Sequence, residues 1–271
     1  MISFCIVNWN GSEVLEKSVK SIIENLHSFE YEIIVVDNNS SDNSIQLISE
    51  FPEVKIYLNK ENEMFSKATN LTVDKAKYDN IVIMNNDIIF DDEHSIVFYL
   101  NLLLNNQDDV IVPKLRNLDG TTQLSIRNVL TPKIFISEIF GNFMSGKKWI
   151  IKDFDFFKEQ NVEQPLFSLL FMTKKKFYEV GYLDERFPLL FNDVDWCKRA
   201  KDKEVSLKYY PGPSILHLHG NSVNKLKMRK IIISTYSMIK YFGKHFPLQR
   251  IVLLPLFILS LFARLFREKI K

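Results

Sequence analysis

Asn80-Ile-Val-Ile-Met-Asn-Asn-Asp-Ile-Ile-Phe-Asp-Asp92 decides the fold. Ile81 to Met84 is a short apolar run rich in β-branched residues, the pattern of a strand buried on both faces. It stops abruptly at Asn85-Asn86-Asp87. In an open α/β sheet, ligands bind beyond the carboxyl ends of the strands. A carboxylate there can hold a hard divalent cation, and the cation can hold phosphates. Asp87 is therefore a candidate metal ligand, against the plainer reading of an Asn-rich turn.

Working back from this strand, Ile2 to Val7, Tyr31 to Val36 and Val54 to Leu58 read as three more strands. Helices fit between them: Glu13 to Asn25 with Ser12 as its cap, a short one to about Glu50, and one from Phe65 to about Lys77. Strand and helix alternate, which predicts a mostly parallel sheet flanked by helices. Working forward, the pattern continues with a helix over His94 to Asn105 and a strand over Val110 to Pro113. Leu115 to Val162 has weak periodicity and several aromatics, Trp149 among them, and reads as an irregular segment that contacts an acceptor. Then follow a strand or strand edge at Pro165 to Thr173, a helix at Lys174 to Val180, and a loop to Pro188. A helix at Asp193 to Lys201, a strand at Val205 to Tyr210, a polar loop at Ile215 to Ser222 and a helix at Asn224 to Phe246 complete the pattern.

The chain has 271 residues, 46% hydrophobic and 25% charged, enough for a full core. A net charge of +2 gives no general attraction for nucleic acid. Cys5 and Cys197 stand far apart in no metal-binding spacing and read as buried thiols in a reducing compartment. The N-terminus lacks the basic region of a signal peptide. Residues 1–246 read as one domain with halves at 1–113 and 114–246. Residues 247–271 form an appended tail. In that tail, Ile251 to Ala263 is apolar except for Ser260, is interrupted at Pro255 and continues through Leu265 and Phe266, with Arg250, Arg264, Arg267, Lys269 and Lys271 as its basic flanks. This predicts a helix lying in an anionic membrane surface; the alternative is a core or homodimer helix.

Among the polar residues, Asp37 ends a buried strand, where it can meet a base or ribose or simply close an Asx turn. Asp42 reads as a cap. Asp195 and Arg199 are four apart, the spacing of a structural ion pair on a helix. Asp193 has no such partner and can serve as a general base or an N-cap. His217 and His219 share a direction on an extended segment; one can join Asp87 on a metal and the other can meet phosphate, or both can face solvent.

These stretches, in order, resemble the family-two inverting glycosyltransferases of GT-A fold, nearest in pattern to their rhamnosyltransferase-like branch. The matches are Ile6-Val-Asn-Trp-Asn-Gly11, Val35-Val-Asp-Asn-Asn-Ser-Ser-Asp42, residues 62–70, Met84-Asn-Asn-Asp87, Gly181-Tyr-Leu-Asp-Glu185, Asn192-Asp-Val-Asp195 with Arg199, and His217-Leu-His-Gly-Asn-Ser222. The resemblance implies a nucleotide-diphosphate sugar donor, dTDP-rhamnose or a UDP-sugar, held by Asn8, Trp9, Asn10, Asp37, Asn62, Lys67 and Asn86. It implies Asp87 and His217 on Mg2+ or Mn2+, and Asp193 as the base that deprotonates an acceptor hydroxyl. The acceptor would be a glycan or a lipid-linked sugar in cell-surface glycan synthesis, and the enzyme cytoplasmic, at the inner face of the membrane.

Three departures stand out: Asn85-Asn86-Asp87 offers a single carboxylate, Asn192 replaces the acid before the base, and Met64 replaces a glycine. Methionine takes positive φ at a cost, so the loop at Met64 is expected to differ in shape. The departures also support an alternative, a non-catalytic scaffold that keeps the fold and binds a nucleotide sugar. A nucleotidyltransferase is disfavoured, because no Gly-rich triphosphate loop follows the first strand.

Overall fold

A computed structural model describes residues 1–140, 148–218 and 227–270. The first half runs β1 (Ile2–Asn8), α1 (Ser12–Asn25), β2 (Tyr31–Asp37), α2 (Ser44–Ile48), β3 (Val54–Leu58), α3 (Met64–Lys75), β4 (Asn80–Asn85), β5 (Ile88–Ile89), α4 (Glu93–Asn105) and β6 (Asp109–Val112). The second half runs β7 (Leu115–Arg116), β8 (Ile126–Arg127), α5 (Pro132–Phe140), β9 (Gln160–Asn161), β10 (Gln164–Pro165), β11 (Leu169–Thr173) and α6 (Lys174–Val180). It closes with α7 (Asn192–Asp202), β12 (Ser206–Tyr209), β13 (Ile215–His217), α8 (Lys227–His245) and α9 (Pro247–Ile270).

The main sheet has the order β3-β2-β1-β4-β11-β6-β12-β9. β3, β2, β1 and β4 pair in parallel, as the alternation predicts. β11 enters between β4 and β6 and runs antiparallel to both. Period-two alternation sends β1 side chains to two cores. Ile2, Phe4 and Ile6 join Leu15, Val19 and Ile22 of α1 and Ile96 and Leu100 of α4. Cys5 joins Phe177 of α6 and Trp196, Cys197 and Ala200 of α7 on the opposite face. Both thiols are buried, as expected. A third core lies off the sheet, where Phe135 of α5, Met238, Tyr241 and Phe242 of α8, and Leu253 and Phe257 of α9 pack together.

Several expectations are corrected. Ser12 does not cap α1; it is the first helical residue, and its N–H donates at 3.0 Å to Asp42 Oδ2 from the next loop. Residues 215–217 form a strand that pairs antiparallel with β5 and sets His217 opposite Ile88. The irregular 115–162 segment contains β7, β8, α5 and β9, while 141–147 lie outside the described residues. Pro255 does not break the tail. α9 runs through it as one helix, because the proline lies on the exposed side, where the carbonyl it leaves unbonded is not sealed in a core. The apolar run Pro247–Phe266 is consequently long enough, by length and composition alone, to cross a membrane.

α8 is fastened to α7 through the buried carboxylate of Asp195. Arg199 Nε donates to its Oδ2 at 2.9 Å, the expected helical pair. Lys244 Nζ and His245 Nε2 approach Oδ1 at 2.6 and 2.7 Å. Lys244 also reaches Asp184 at 2.7 Å. Burial pushes the Asp195 carboxyl up, but its contacts with His245, Lys244 and Arg199 outweigh this and hold it below the usual aspartate range. A depressed carboxyl adds stability above its ordinary range, and that stability is lost as pH falls through the depressed value. Asp195→Ala is expected to cost about 3 kcal/mol or more at neutral pH, since it strips the anion from partly buried cations. Urea midpoints measure this, and the gap to wild type should shrink in acid. An unchanged neutral midpoint contradicts the fastening role.

Candidate active site

The carboxyl ends of β1, β2 and β4 are joined by the side chain of Asn8, which is fully buried. Its Nδ2 donates to Asp37 Oδ1 at 2.8 Å and Ser44 Oγ at 2.9 Å, with Ser40 Oγ at 3.2 Å. Its Oδ1 accepts from Asn86 Nδ2 at 2.8 Å. Asp37 is 2% exposed and engaged at both oxygens, by Asn8 and Ser40 Oγ on Oδ1 and by the Ser40 N–H on Oδ2 at 2.8 Å. Asp37 thus ties the second loop to its own start through Ser40 and to β1 through Asn8. Asn10 links the first turn to the second loop, donating from N to Ser40 Oγ and accepting the Ser41 N–H, both at 2.8 Å. Trp9 stands 43% exposed at the rim.

Gly11 lets this node close. A Cβ there would lie 2.3 Å from Asn86 Nδ2 and 2.5 Å from Asn8 Oδ1. Asn62 and Lys67 sit further out. Asn62 Oδ1 accepts the Met64 N–H at 2.9 Å, and the Lys67 ammonium is paired with Glu63 at 2.6 Å. Lys67 lines a shallow cleft of about 370 Å³ with Asn59, Tyr182 and Glu185, so no hydrogen bond brings it to the Asn8 node. Met64 takes φ +62°, a conformation that is costly for methionine. The loop holds it because Asn38 Nδ2 donates to the Met64 carbonyl at 3.1 Å and the Phe65 N–H donates to the Pro188 carbonyl at 2.9 Å.

Asp87 follows Asn86 directly, and the β5–β13 pairing brings His217 to it, with Nε2 3.3 Å from Asp87 Oδ1. His217 Nδ1 lies 3.0 Å from Gln123 Oε1; with Nδ1–H donating there, a neutral ring keeps its lone pair on Nε2. A carboxylate oxygen beside an imidazole nitrogen is a donor set that suits Mg2+ or Mn2+, with the remaining positions open to water and phosphate. Among the described residues no group of three His, Cys, Asp or Glu assembles, so the protein share of such a site is small. His219 and the loop to Ser222 lie outside the described residues.

Asp193 is the second residue of α7 and half-buried. Its Oδ1 accepts the Val194 N–H at 2.9 Å, and Asn192 Oδ1 accepts the Asp193 N–H at 2.7 Å. Asn192 thus replaces an acid with a group that fixes the helix start. Burial pushes the Asp193 carboxyl above the ordinary aspartate range, and the Arg127 guanidinium offsets part of that. Arg127 lies over the Trp149 ring at 5.0 Å, and Trp149 Nε1 donates to Gln164 Oε1 at 3.1 Å. Arg127 Nε and Gln164 Nε2 are buried without a hydrogen-bond partner, two donors that a sugar hydroxyl could satisfy. Phe191, two residues before Asp193, takes φ +72°. Asn10, Asn39, Met64 and Phe191 all hold positive φ in the loops that carry the expected site residues, so backbone strain gathers there.

Sequence reasoning placed Gly11 in the first turn without giving it a role, and missed Gln123, Arg127 and Gln164. Gly11 was legible in principle: the chain has eight glycines, and one of them directly follows the first strand's Asn-Trp-Asn. Gln123 and Arg127 lie in the weakly periodic 115–162 segment, and Gln164 lies just beyond it. Gly11→Ala is expected to cost about 1–3 kcal/mol by forcing the node apart. A thermal melt tests it, and an unchanged midpoint would show that the node tolerates the added methyl group.

The glycosyl transferase family 2 model matches residues 3–162. The chain is 22% identical over 212 residues to a low-salt glycan biosynthesis hexosyltransferase of Haloferax volcanii, covering 76% of this chain and 63% of that protein. It is 26% identical over 213 residues to the poly-β-1,6-N-acetyl-D-glucosamine synthase of Staphylococcus epidermidis, covering 78% of this chain and 48% of that one. The chain therefore spans about half to two-thirds of the length of these curated relatives. Its fold is similar to the crystal structure of GalNAc-T7 with UDP, GalNAc and Mn2+ (TM-score 0.60, 14% identity, 81% of this chain and 44% of that one). It is also similar to S. aureus TarS 1–349 in complex with UDP (TM-score 0.59, 12% identity, 94% and 74%). With the family model covering more than half of its residues and the sheet built as described, the chain belongs to glycosyl transferase family 2 and has the GT-A fold.

Proposed function

We propose that this protein is an inverting glycosyltransferase that moves a sugar from a nucleotide-diphosphate donor to a hydroxyl of a glycan or lipid-linked acceptor. The observation that carries this reading is Asp193, a half-buried carboxylate at a helix start with its proton affinity raised by burial. A base of raised pKa takes a proton from an alcohol more readily than an ordinary aspartate. As the acceptor oxygen attacks the anomeric carbon, its proton passes to an Asp193 oxygen. The bond to the diphosphate breaks in line, and the diphosphate leaves with the bonding electrons. Arg127 and Gln164 would orient sugar hydroxyls through their buried donors. The Asn8 node would shape the nucleotide cleft, with Trp9, Asn10 and Asn86 at its rim. Asp87 and His217 would hold Mg2+ or Mn2+, which when bound offsets charge growing on the diphosphate.

Between the two donors considered, the neighbouring complexes that contain UDP favour a UDP-sugar over dTDP-rhamnose. The hexosyltransferase and polysaccharide-synthase relatives point to surface glycan synthesis. Leu253 and Phe257 of α9 are buried, while Ile251, Val252, Ile258, Phe262 and Phe266 are exposed, a one-sided apolar face suited to the inner surface of a membrane. In this reading residues 1–246 are the catalytic domain and 247–271 the element that brings it to the bilayer.

Asp193→Asn is expected to lower transfer from, or hydrolysis of, a UDP-sugar by about 10²–10⁴-fold. A raised folded pKa means that ionised Asp193 costs stability once pH rises through that value. The Asn variant should therefore melt higher than wild type at pH 7, with the gap closing as pH falls through the aspartate range. Unchanged turnover removes Asp193 from the base role; donor binding by a wild type that never turns over would favour the scaffold reading instead. A second check uses thermal shift. A UDP-sugar should stabilise the wild type more with manganese than with chelator. Asp87→Asn should erase that difference, and an equal shift in chelator contradicts the metal role.

A further inference from the structure

Between α5, α8 and α9 lies a cavity of about 640 Å³. Leu130, Phe135, Met238 and Leu259 give it apolar walls, and its size falls within the roughly 300–1,000 Å³ of ligand pockets. Two charged groups line it. Glu138 is tied by Oε1 to the Trp149 backbone N–H at 2.8 Å. Arg264 of α9 is half-buried, and its terminal nitrogens reach only the Thr235 and Ser234 hydroxyls, both at 3.4 Å. Among the described residues no carboxylate pairs with it. A guanidinium taken partly out of water without an anion is unfavourable, and its fork matches phosphate oxygens.

The cavity shares a wall with the candidate active site. Phe191 and Trp149 both line it and their rings lie 6.0 Å apart. Phe191 is two residues from Asp193, and Trp149 covers Arg127 at 5.0 Å. On its outer side the cavity borders α9, whose Ile258 and Phe262 are exposed. An apolar chamber whose guanidinium has no carboxylate partner among the described residues and whose carboxylate is tied to a backbone N–H, set between an apolar exterior and the proposed glycosyl-transfer centre, fits an amphiphile with a hydrocarbon chain and a phosphate.

We propose that this cavity binds the hydrocarbon chain of a phosphate-bearing lipid acceptor, with Arg264 on the phosphate. The word acceptor rests on the glycosyl-transfer reading; the binding of a lipid phosphate does not. The test titrates farnesyl phosphate, farnesol and inorganic phosphate into the full chain in phosphatidylcholine nanodiscs. Farnesyl phosphate should bind about tenfold or more tighter than farnesol, and inorganic phosphate should not bind. Arg264→Met should erase the preference for the phosphate, and Ser260→Phe, which puts a ring into the cavity, should weaken both lipids about tenfold or more.

Farnesol binding as tightly as its phosphate, or both variants binding as wild type does, overturns the proposal. Phosphatidylglycerol competing as well as farnesyl phosphate would assign the cavity to bulk membrane lipid and also overturn it. A UDP-sugar thermal shift in the same samples separates the two readings. Lipid binding lost with the donor shift intact supports the cavity, whereas a wild type without any donor shift counts against glycosyl transfer alone.

Discussion

The structure depends on one buried amide. Asn8 carries hydrogen bonds to the ends of β2 and β4 and to the start of α2, so three loops that would otherwise be independent share a single geometry. A buried amide with its groups satisfied is stabilising, while the same amide with a partner removed costs more than it gave. The neighbouring residues serve that economy. Gly11 leaves room for Asn86, Ser40 completes Asp37, and Asp42 receives the first N–H of α1. Asp87 is placed by being next to Asn86, and β13 then delivers His217.

The surroundings of Asp193 are built by strain and by charge. Phe191 accepts a left-handed backbone that costs a bulky residue about 1–2 kcal/mol. In that conformation its ring joins the third core and Asp193 follows as the second residue of α7. Two residues further on, Asp195 fastens α7 to the end of α8 through Lys244 and His245. The tail helices are therefore not a passive appendage: their buried side chains stand against the same residues that position the candidate base. A chamber between them is what such packing leaves when Trp149 and Phe191 form one wall and α9 the other.

The parallel half of the sheet was legible, because four short β-rich runs separated by helical patterns admit few arrangements. The Asp195–Arg199 pair was legible from spacing alone. The antiparallel insertion of β11 was not, since nothing local in Leu169–Thr173 states its direction. Asp37 read as a ligand contact or a turn residue with nothing local to decide between them; in the structure Asn8 of β1 and Ser40 engage its two oxygens, contacts that spacing does not state. At Met64 propensity argued against positive φ, but hydrogen bonds from Asn38 and to Pro188 hold the methionine there. Arg127, Gln123 and Gln164 could not be read, because their importance comes from partners distant in the chain.

The most direct measurement is a crystal structure of the full chain with manganese and a UDP-sugar. The account predicts the nucleotide at the carboxyl ends of β1 and β2, the diphosphate beside Asp87 and His217, and the Asp193 carboxylate facing the anomeric carbon from the side away from the diphosphate. A nucleotide bound elsewhere, or an Asp193 turned away from the sugar with no path for an acceptor between them, would contradict it.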